Sequence, residues 1–198
     1  DIHDVATPEA WKANPDLVSK FYNQRRKQII ESAPNEAHYA IAEMQKLADV
    51  RIITQNIDDL HERAGSEKVM HLHGNIRYSK SSGPNQAKEY YLIPGASLTK
   101  NDTCPEGFRL RPHVVWFGEA VPMMEKAIEM ILEATHFVVI GSSLQVYPAA
   151  NLLGYCPANA KKWIIDPKAN EMDNPYEFTL INQKAVEGIN TLVKQLKL

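Results

Sequence analysis

His73 is the side chain in this sequence best placed for proton transfer. It follows the apolar pair Val69-Met70 and precedes Gly74, which leaves room beside the ring. The ordinary pKa of imidazole suits general-base work near neutrality. His71 stands two positions earlier, on the same face of a predicted strand. The two histidines do not make a metal site, because no cysteine or carboxylate at suitable spacing supplies the remaining ligands. A second group, Gln55, Asn56 and Asp58, comes directly after the apolar run 50–54. Its amides and carboxylate can donate and accept toward a ribose or a carboxamide; equally, Asn56 or Asp58 can cap the helix that follows. A third, Gly141-Ser142-Ser143, follows the apolar run Phe137–Ile140. Such a turn lets backbone amides approach a phosphate, although a plain tight turn has the same composition. A fourth is Tyr22 with Arg25, one helical turn apart within an apolar stripe of Leu17, Val18, Phe21, Tyr22 and Ile29. A phenol and a guanidinium on one apolar wall make a carboxylate receptor, unless Arg25 instead snorkels to solvent or pairs with an internal acid.

These groups need elements to hold them. Thr7-Pro8-Glu9, Asn14-Pro15-Asp16 and Pro34-Asn35-Glu36 each read as a helix start, the second running to about Glu31. Short apolar runs at 50–54, 69–73, 113–117, 136–140, 162–165 and 178–181 read as strands. Helices are predicted over 57–64, with Gly65 as the stop, and over 122–134 and 185–196. Strands alternating with helices predict an α/β fold: a Rossmann-like, mostly parallel sheet with helices on both faces. In such sheets ligands bind at the carboxyl ends of the strands, where the second and third groups fall. From 79 to 107 serine, glycine, proline, asparagine and lysine dominate, and only 90–93 reads as a strand. That stretch is expected to be a reduced small lobe inserted in a single domain covering 1–198.

Composition removes several classes. Lys and Arg total 22 against 24 Asp and Glu, a net charge of −2, so no basic surface for nucleic acid is expected. The 44% hydrophobic and 23% charged residues exclude a disordered chain. No run of about 18 apolar residues is present, so no membrane helix is predicted. Two cysteines are too few for a disulfide framework or a four-thiolate zinc site. The chain opens at Asp1-Ile2-His3-Asp4, already in structured sequence, and reads as one entered partway.

Five motifs in order resemble the sirtuins, NAD-dependent protein-lysine deacylases. They are Pro34-Asn35-Glu36-Ala37-His38; Thr54-Gln55-Asn56-Ile57-Asp58 continuing to Ala64-Gly65; His71-Leu72-His73-Gly74; Arg111-Pro112-His113-Val114-Val115-Trp116-Phe117-Gly118-Glu119; and Gly141-Ser142-Ser143-Leu144-Gln145-Val146-Tyr147-Pro148-Ala149. Asp4-Val5-Ala6-Thr7-Pro8-Glu9 and Phe21-Tyr22-Asn23-Gln24-Arg25-Arg26 resemble the branch that removes succinyl and malonyl groups. The resemblance implies that Gln55, Asn56, Ile57 and Asp58 hold the nicotinamide and its ribose, with Asn56 near the reacting carbon. It makes His73 the base on the ribose hydroxyls. Gly141, Ser142 and Ser143 would meet the phosphates and the adenine-side ribose, with Asp166 and Ala185 near the adenosine. Val115, Phe117, Gly118 and Glu119 would form an edge that pairs with the acyl-lysine peptide. Tyr22 and Arg25 match the pair that takes the acyl carboxylate. The products implied are nicotinamide, an O-acyl-ADP-ribose and free lysine, and the expected location is the cytoplasm.

The chain also departs from the family pattern. The family's Gly-Ala-Gly-x-Ser segment would lie before Asp1. The stretch 77–109 holds only Cys104 of the zinc cysteines, so no structural zinc is expected. Ile164 stands where the family has an asparagine at the adenine-side ribose, leaving Asp166 as the acid there. A non-catalytic module that binds NAD, ADP-ribose or peptide, or an inactive fragment, is the alternative to an enzyme.

Overall fold

A computed structural model describes residues 2–142 and 149–196. In chain order the elements are α1 (Pro8–Ala13), α2 (Pro15–Glu31), α3 (Glu36–Met44), β1 (Ile52–Thr54), α4 (Leu60–Arg63), β2 (Val69–His71), β3 (Gly74–Ser81), β4 (Tyr90–Leu92), β5 (Leu110–Val114), α5 (Met124–Leu132), β6 (His136–Ile140), β7 (Lys161–Ile165), β8 (Thr179–Ile181) and α6 (Ala185–Leu196). The first three helices start where their caps dictate. The Thr7 hydroxyl accepts from Ala10 N at 3.0 Å, and Asn14 Oδ1 accepts from Leu17 N at 3.0 Å. Asn35 forms a capping box with His38.

Contacts divide the chain into two compact units. One contains 1–33, 54–59 and 71–121; the other contains 34–53, 60–70 and 122–198. In the first, β3 is the centre of a three-stranded antiparallel sheet, order β4-β3-β5. Helix α2 lays Val18 and Tyr22 into a cluster with Ala6, Ile76, Val114 and Trp116. A second cluster, Ile93, Leu98, Cys104 and Leu110, fills the stretch expected to be a small lobe. Gly74 adopts φ +84°, and a Cβ there would run into the His113 carbonyl. Only glycine lets β3 start so close to β5.

In the second unit β6, β7 and β8 form a parallel sheet in that order. Helices α3 and α6 pack on it through Ala37, Trp163, Ile165, Ile181, Ile189 and Leu192. Gly188 allows α6 to lie directly against Ile165. The βαβ expectation therefore holds here, while the β3 sheet is antiparallel.

Several predicted elements shift. The strand over 69–73 ends at His71, and Leu72 and His73 form a turn, so the two histidines do not alternate along one strand. The helix over 57–64 shrinks to Leu60–Arg63, because 54–59 is held in a non-helical course by bonds described below. The strand over 113–117 ends at Val114, since the chain turns at Trp116–Glu119, with Gly118 at φ +85°. Strand β3, running to Ser81, lacks the apolar alternation of a predictable strand. Its inward positions include Ser79 and Ser81, 1% and 5% exposed. Among the described residues no helix is long and apolar enough to cross a membrane.

Candidate functional site

In the first unit, the segment after β1 is fastened to the segment after β2 one carbonyl at a time. Thr54 O accepts from Leu72 N at 2.9 Å, and Ile57 O accepts from Ile76 N at 2.8 Å. Between them, Gln55 O receives His73 Nδ1 at 3.2 Å and Asn56 O receives His71 Nδ1 at 3.4 Å. Asn56 N donates to Thr54 Oγ1 at 3.1 Å, and Arg77 bonds Asp59 at 2.9 Å. Hydrogen bonding at these carbonyls, not helix formation, shapes 54–59. The structure therefore sets Gln55 against His73, with Asn56 bonded to His71 and Ile57 to Ile76 along the same segment, which continues to Asp58. Ile57 itself turns its side chain toward the apolar cluster around Tyr22.

A carbonyl only accepts, so His73 Nδ1 must carry the proton and Nε2 is left as the basic nitrogen. Burial lowers the His73 pKa below its ordinary 6.5, more than the bond to Gln55 O raises it. The ring is thus neutral near pH 7, the state a base needs.

Tyr22 is buried at 4% exposure, its ring 6.4 Å from that of Trp116. Burial pushes its pKa up to about 12, against the opposing influence of Trp116, Arg111 and Arg25. The phenol stays a proton donor at any physiological pH. Trp116 Nε1 is buried and faces this phenol outside hydrogen-bonding geometry, with no partner among the described residues. Arg25 does not sit inside the apolar stripe: it is exposed, with its guanidinium 5.4 Å from the Phe21 centroid. Leu17 is likewise exposed, at 45%. The arginine that is buried is Arg26, fixed by Ile76 O (2.7 Å), Asn23 Oδ1 (2.7 Å) and Ala96 O (2.8 Å). Burial, with the nearby charge of Arg77, lowers its pKa to about 10. Helical spacing alone puts both arginines at the stripe's margin, and only the distant carbonyls decide which goes in.

The stretch Val115–Glu119 follows β5 and turns at Phe117 and Gly118. Val115 N donates to His73 O, Phe117 N to Ala6 O, and Glu119 N to Trp116 O. Glu119 Oε2 accepts from Trp116 N at 2.8 Å, and the carboxylate takes a two-pronged bond from Arg111 at 2.7 and 3.0 Å. Arg111 also lies 3.3 Å from the Trp116 ring centroid. Sequence reading assigned roles to this turn but passed over Arg111 and His71; the alternation His71–His73 was the signal for the latter. Phe117 is 54% exposed at the tip, next to Gly118.

In the second unit, Gly141 and Ser142 follow β6, and Asp166 follows β7, at carboxyl ends of parallel strands. Gly141 takes φ +60°, donates its N–H to Ile165 O, and among the described residues nothing lies within 4 Å of where a Cβ would be. Asp166 Oδ1 accepts from Lys168 N at 2.8 Å, so the carboxylate also closes its own turn. Ile164 is buried in the sheet, and Ala185, at the start of α6, packs toward the core. Ser143 lies outside the described residues. A left-handed glycine at a strand end, with an acid at the end of the next strand, fits the phosphate and ribose of a dinucleotide. Among the described residues, no group of three or more His, Cys, Asp or Glu is placed to hold a metal.

A parallel sheet with polar residues at its strand ends is the arrangement of a Rossmann-like nucleotide-binding protein. The Sir2 family model matches residues 1–148. The NAD-dependent protein deacylase of Helicobacter pylori (strain ATCC 700392 / 26695) is 45% identical over 197 residues, 99% of this chain and 84% of that protein. The NAD-dependent protein deacylase of Bacteroides thetaiotaomicron is 45% identical over 200 residues, 98% and 84% respectively. The crystal structure of a Sir2 homologue–NAD complex superimposes with a TM-score of 0.83 at 34% identity, over 98% of this chain and 77% of that one. The chain belongs to the Sir2 family.

Proposed function

We propose that this NAD-dependent protein deacylase removes acidic acyl groups, succinyl or malonyl, from lysine side chains of proteins. Its enzyme class follows from the family and from deacylases matched along nearly the whole chain. The acyl preference rests on one observation: buried, protonated Tyr22 stands one turn from the exposed cation Arg25, with the unpartnered indole N–H of Trp116 facing it. A carboxylate is what a phenol and a guanidinium one helical turn apart can bind together, whereas an acetyl methyl group supplies nothing for Arg25.

When bound, NAD supplies the electrophilic ribose carbon and nicotinamide as leaving group. The protein's part is positional and acid–base. His73 Nε2 takes a proton from a ribose hydroxyl, while Nδ1–H on Gln55 O keeps the ring in the required tautomer. The carbonyls fixed at 54–57 set the course along which Gln55, Asn56 and Asp58 meet the nicotinamide side. Gly141, Ser142 and Asp166 take the adenosine side. The Trp116–Glu119 turn presents Phe117 and Gly118 to the substrate peptide. A reducing, cytoplasmic setting is part of the proposal and accords with the free thiols Cys104 and Cys156.

A panel of acetyl-, malonyl- and succinyl-lysine peptides with NAD, read by mass spectrometry, tests the reading. Arg25→Met is expected to cut desuccinylation about ten- to a hundredfold, the worth of one charge-assisted hydrogen bond, and deacetylation little. Equal losses on both substrates would remove Tyr22 and Arg25 from acyl selection.

A further inference from the structure

We propose that His71 is a positioning residue for the reaction, the middle link of a directed hydrogen-bond chain that ends on the Asn56 carbonyl. The inference rests on the deacylase reading and goes beyond it, since His71 has no role there. The direction of every bond follows from the chain's fixed end. Arg77 N–H donates to Asn75 Oδ1 at 2.9 Å, which settles the orientation of the buried Asn75 amide. Asn75 Nδ2 must then face outward as a donor, and it meets His71 Nε2 at 3.3 Å. That nitrogen accepts, so the proton of neutral His71 resides on Nδ1, which lies 3.4 Å from Asn56 O. The ring is used on both sides, and only one tautomer fits.

The consequence is a matched pair of imidazoles. His73 gives its Nδ1 proton to Gln55 O, and His71 gives its own to Asn56 O, the next carbonyl along. One anchors the base itself; the other anchors the peptide beside it. Without His71, Asn56 O loses its donor while Thr54, Gln55 and Ile57 keep theirs. The 55–57 backbone is then free to rotate about one peptide, which displaces the Asn56 side chain from its place near the reacting carbon. A displacement of about 1 Å in a reacting group costs on the order of a hundredfold in rate. Binding of the acyl peptide, assigned to Tyr22, Arg25 and the turn 116–119, does not pass through this chain.

Nitrogen-15 spectra of the imidazoles, together with kinetics on acyl-lysine peptide and NAD, test the proposal. In the wild-type protein His71 is expected to show a protonated Nδ1 and a bare Nε2. Asn75→Asp places an acceptor opposite Nε2 and is expected to move a proton onto it, leaving His73 unchanged. His71→Ala is expected to lower kcat about ten- to a hundredfold at unchanged KM for the peptide. His71→Asn, whose amide keeps a donor at the Nδ1 position, is expected to recover most of that loss. A wild-type His71 protonated on Nε2 alone overturns the chain. Wild-type kcat in a folded His71→Ala protein overturns the positioning role. Should His71→Ala not fold, wild-type kcat in Asn75→Asp with the tautomer switched overturns it equally. A wild-type protein without turnover on any acyl peptide refutes the deacylase reading instead, and the nitrogen spectra still decide the hydrogen-bond chain.

Discussion

The imidazole of His113 lies flat against the ring of Tyr90, their centroids 3.8 Å and their planes 14° apart. His113 belongs to β5 and Tyr90 to β4, the strands flanking β3, and His113 Nδ1 is buried with no hydrogen-bond partner among the described residues. Burial, then the charges of Lys80, His71 and Arg111, lower its pKa from 6.5 to about 4. Arg111 is itself paired with Glu119. Between pH 6.5 and 4 the unfolded chain therefore carries a proton on His113 that the folded protein refuses. Stability from this residue is complete above pH 6.5 and falls as pH drops toward 4, by roughly 3 kcal/mol in all. Urea unfolding across this range should show His113→Gln with a shallower pH slope than wild type. Parallel slopes would mean that His113 titrates normally.

Arg111 is 3% exposed, and among the described residues Glu119 is the acid that answers its charge. Burial raises the Glu119 pKa, but the bonds from Arg111 and Trp116 N outweigh it, and the net pKa is below 4.5. Glu119→Gln leaves a cation buried and opens the 116–119 turn. Chemical denaturation should show a loss of about 3–5 kcal/mol, partly recovered in the double variant Arg111→Met, Glu119→Gln. The single variant should also raise KM for the acyl peptide, since the turn presents Phe117. A loss below about 1 kcal/mol would show that the pair is not desolvated in solution.

What was legible in the sequence follows from how local each cause is. Thr7, Asn14 and Asn35 act on amides two or three residues away, so three helix starts were readable to the residue. Apolar runs such as Phe137–Ile140 marked the parallel strands because burial on both faces needs no partner to be named. The misses share the opposite property. Segment 54–59 is non-helical because it is bonded to 71–77, and β3 is a strand because β4 and β5 flank it. Arg26 is buried and Arg25 is not because Ile76 and Ala96 offer carbonyls from 50 and 70 residues away. For the candidate site, His73 and the 55–58 group stood out by residue type and strand-end position. Choosing among their roles needed the family resemblance, since capping and ligand binding use the same residues.

Metal removal should leave the stretch 79–107 intact. Ile93, Leu98, Cys104 and Leu110 pack there as one cluster. Cys104 N donates to Phe108 O, Gly107 N to Cys104 O, and Leu110 N to Asp102 O. The thiol of Cys104 is thus a packed, hydrogen-bonded group, with Ser81 Oγ 3.5 Å away. A strong chelator is expected to leave Tm unchanged, while Cys104→Ala lowers stability by roughly 1 kcal/mol through lost packing. A chelator-induced fall in Tm would show that a metal completes this stretch.

The base assigned to His73 has a pH signature of its own. Its pKa lies below 6.5 because burial disfavours the cation, and the Gln55 carbonyl only partly restores it. Protonation places a proton on Nε2 and removes the lone pair that receives the ribose hydroxyl proton. The acid limb of log kcat/KM should therefore have its midpoint below pH 6.5, with unit slope for a single group. His73→Ala should abolish deacylation and with it the acid limb, whereas His113→Gln should leave the limb in place. A limb centred above pH 6.5 would assign the kinetic base to a group other than His73, because nothing in its surroundings raises the imidazole pKa past the cost of burial.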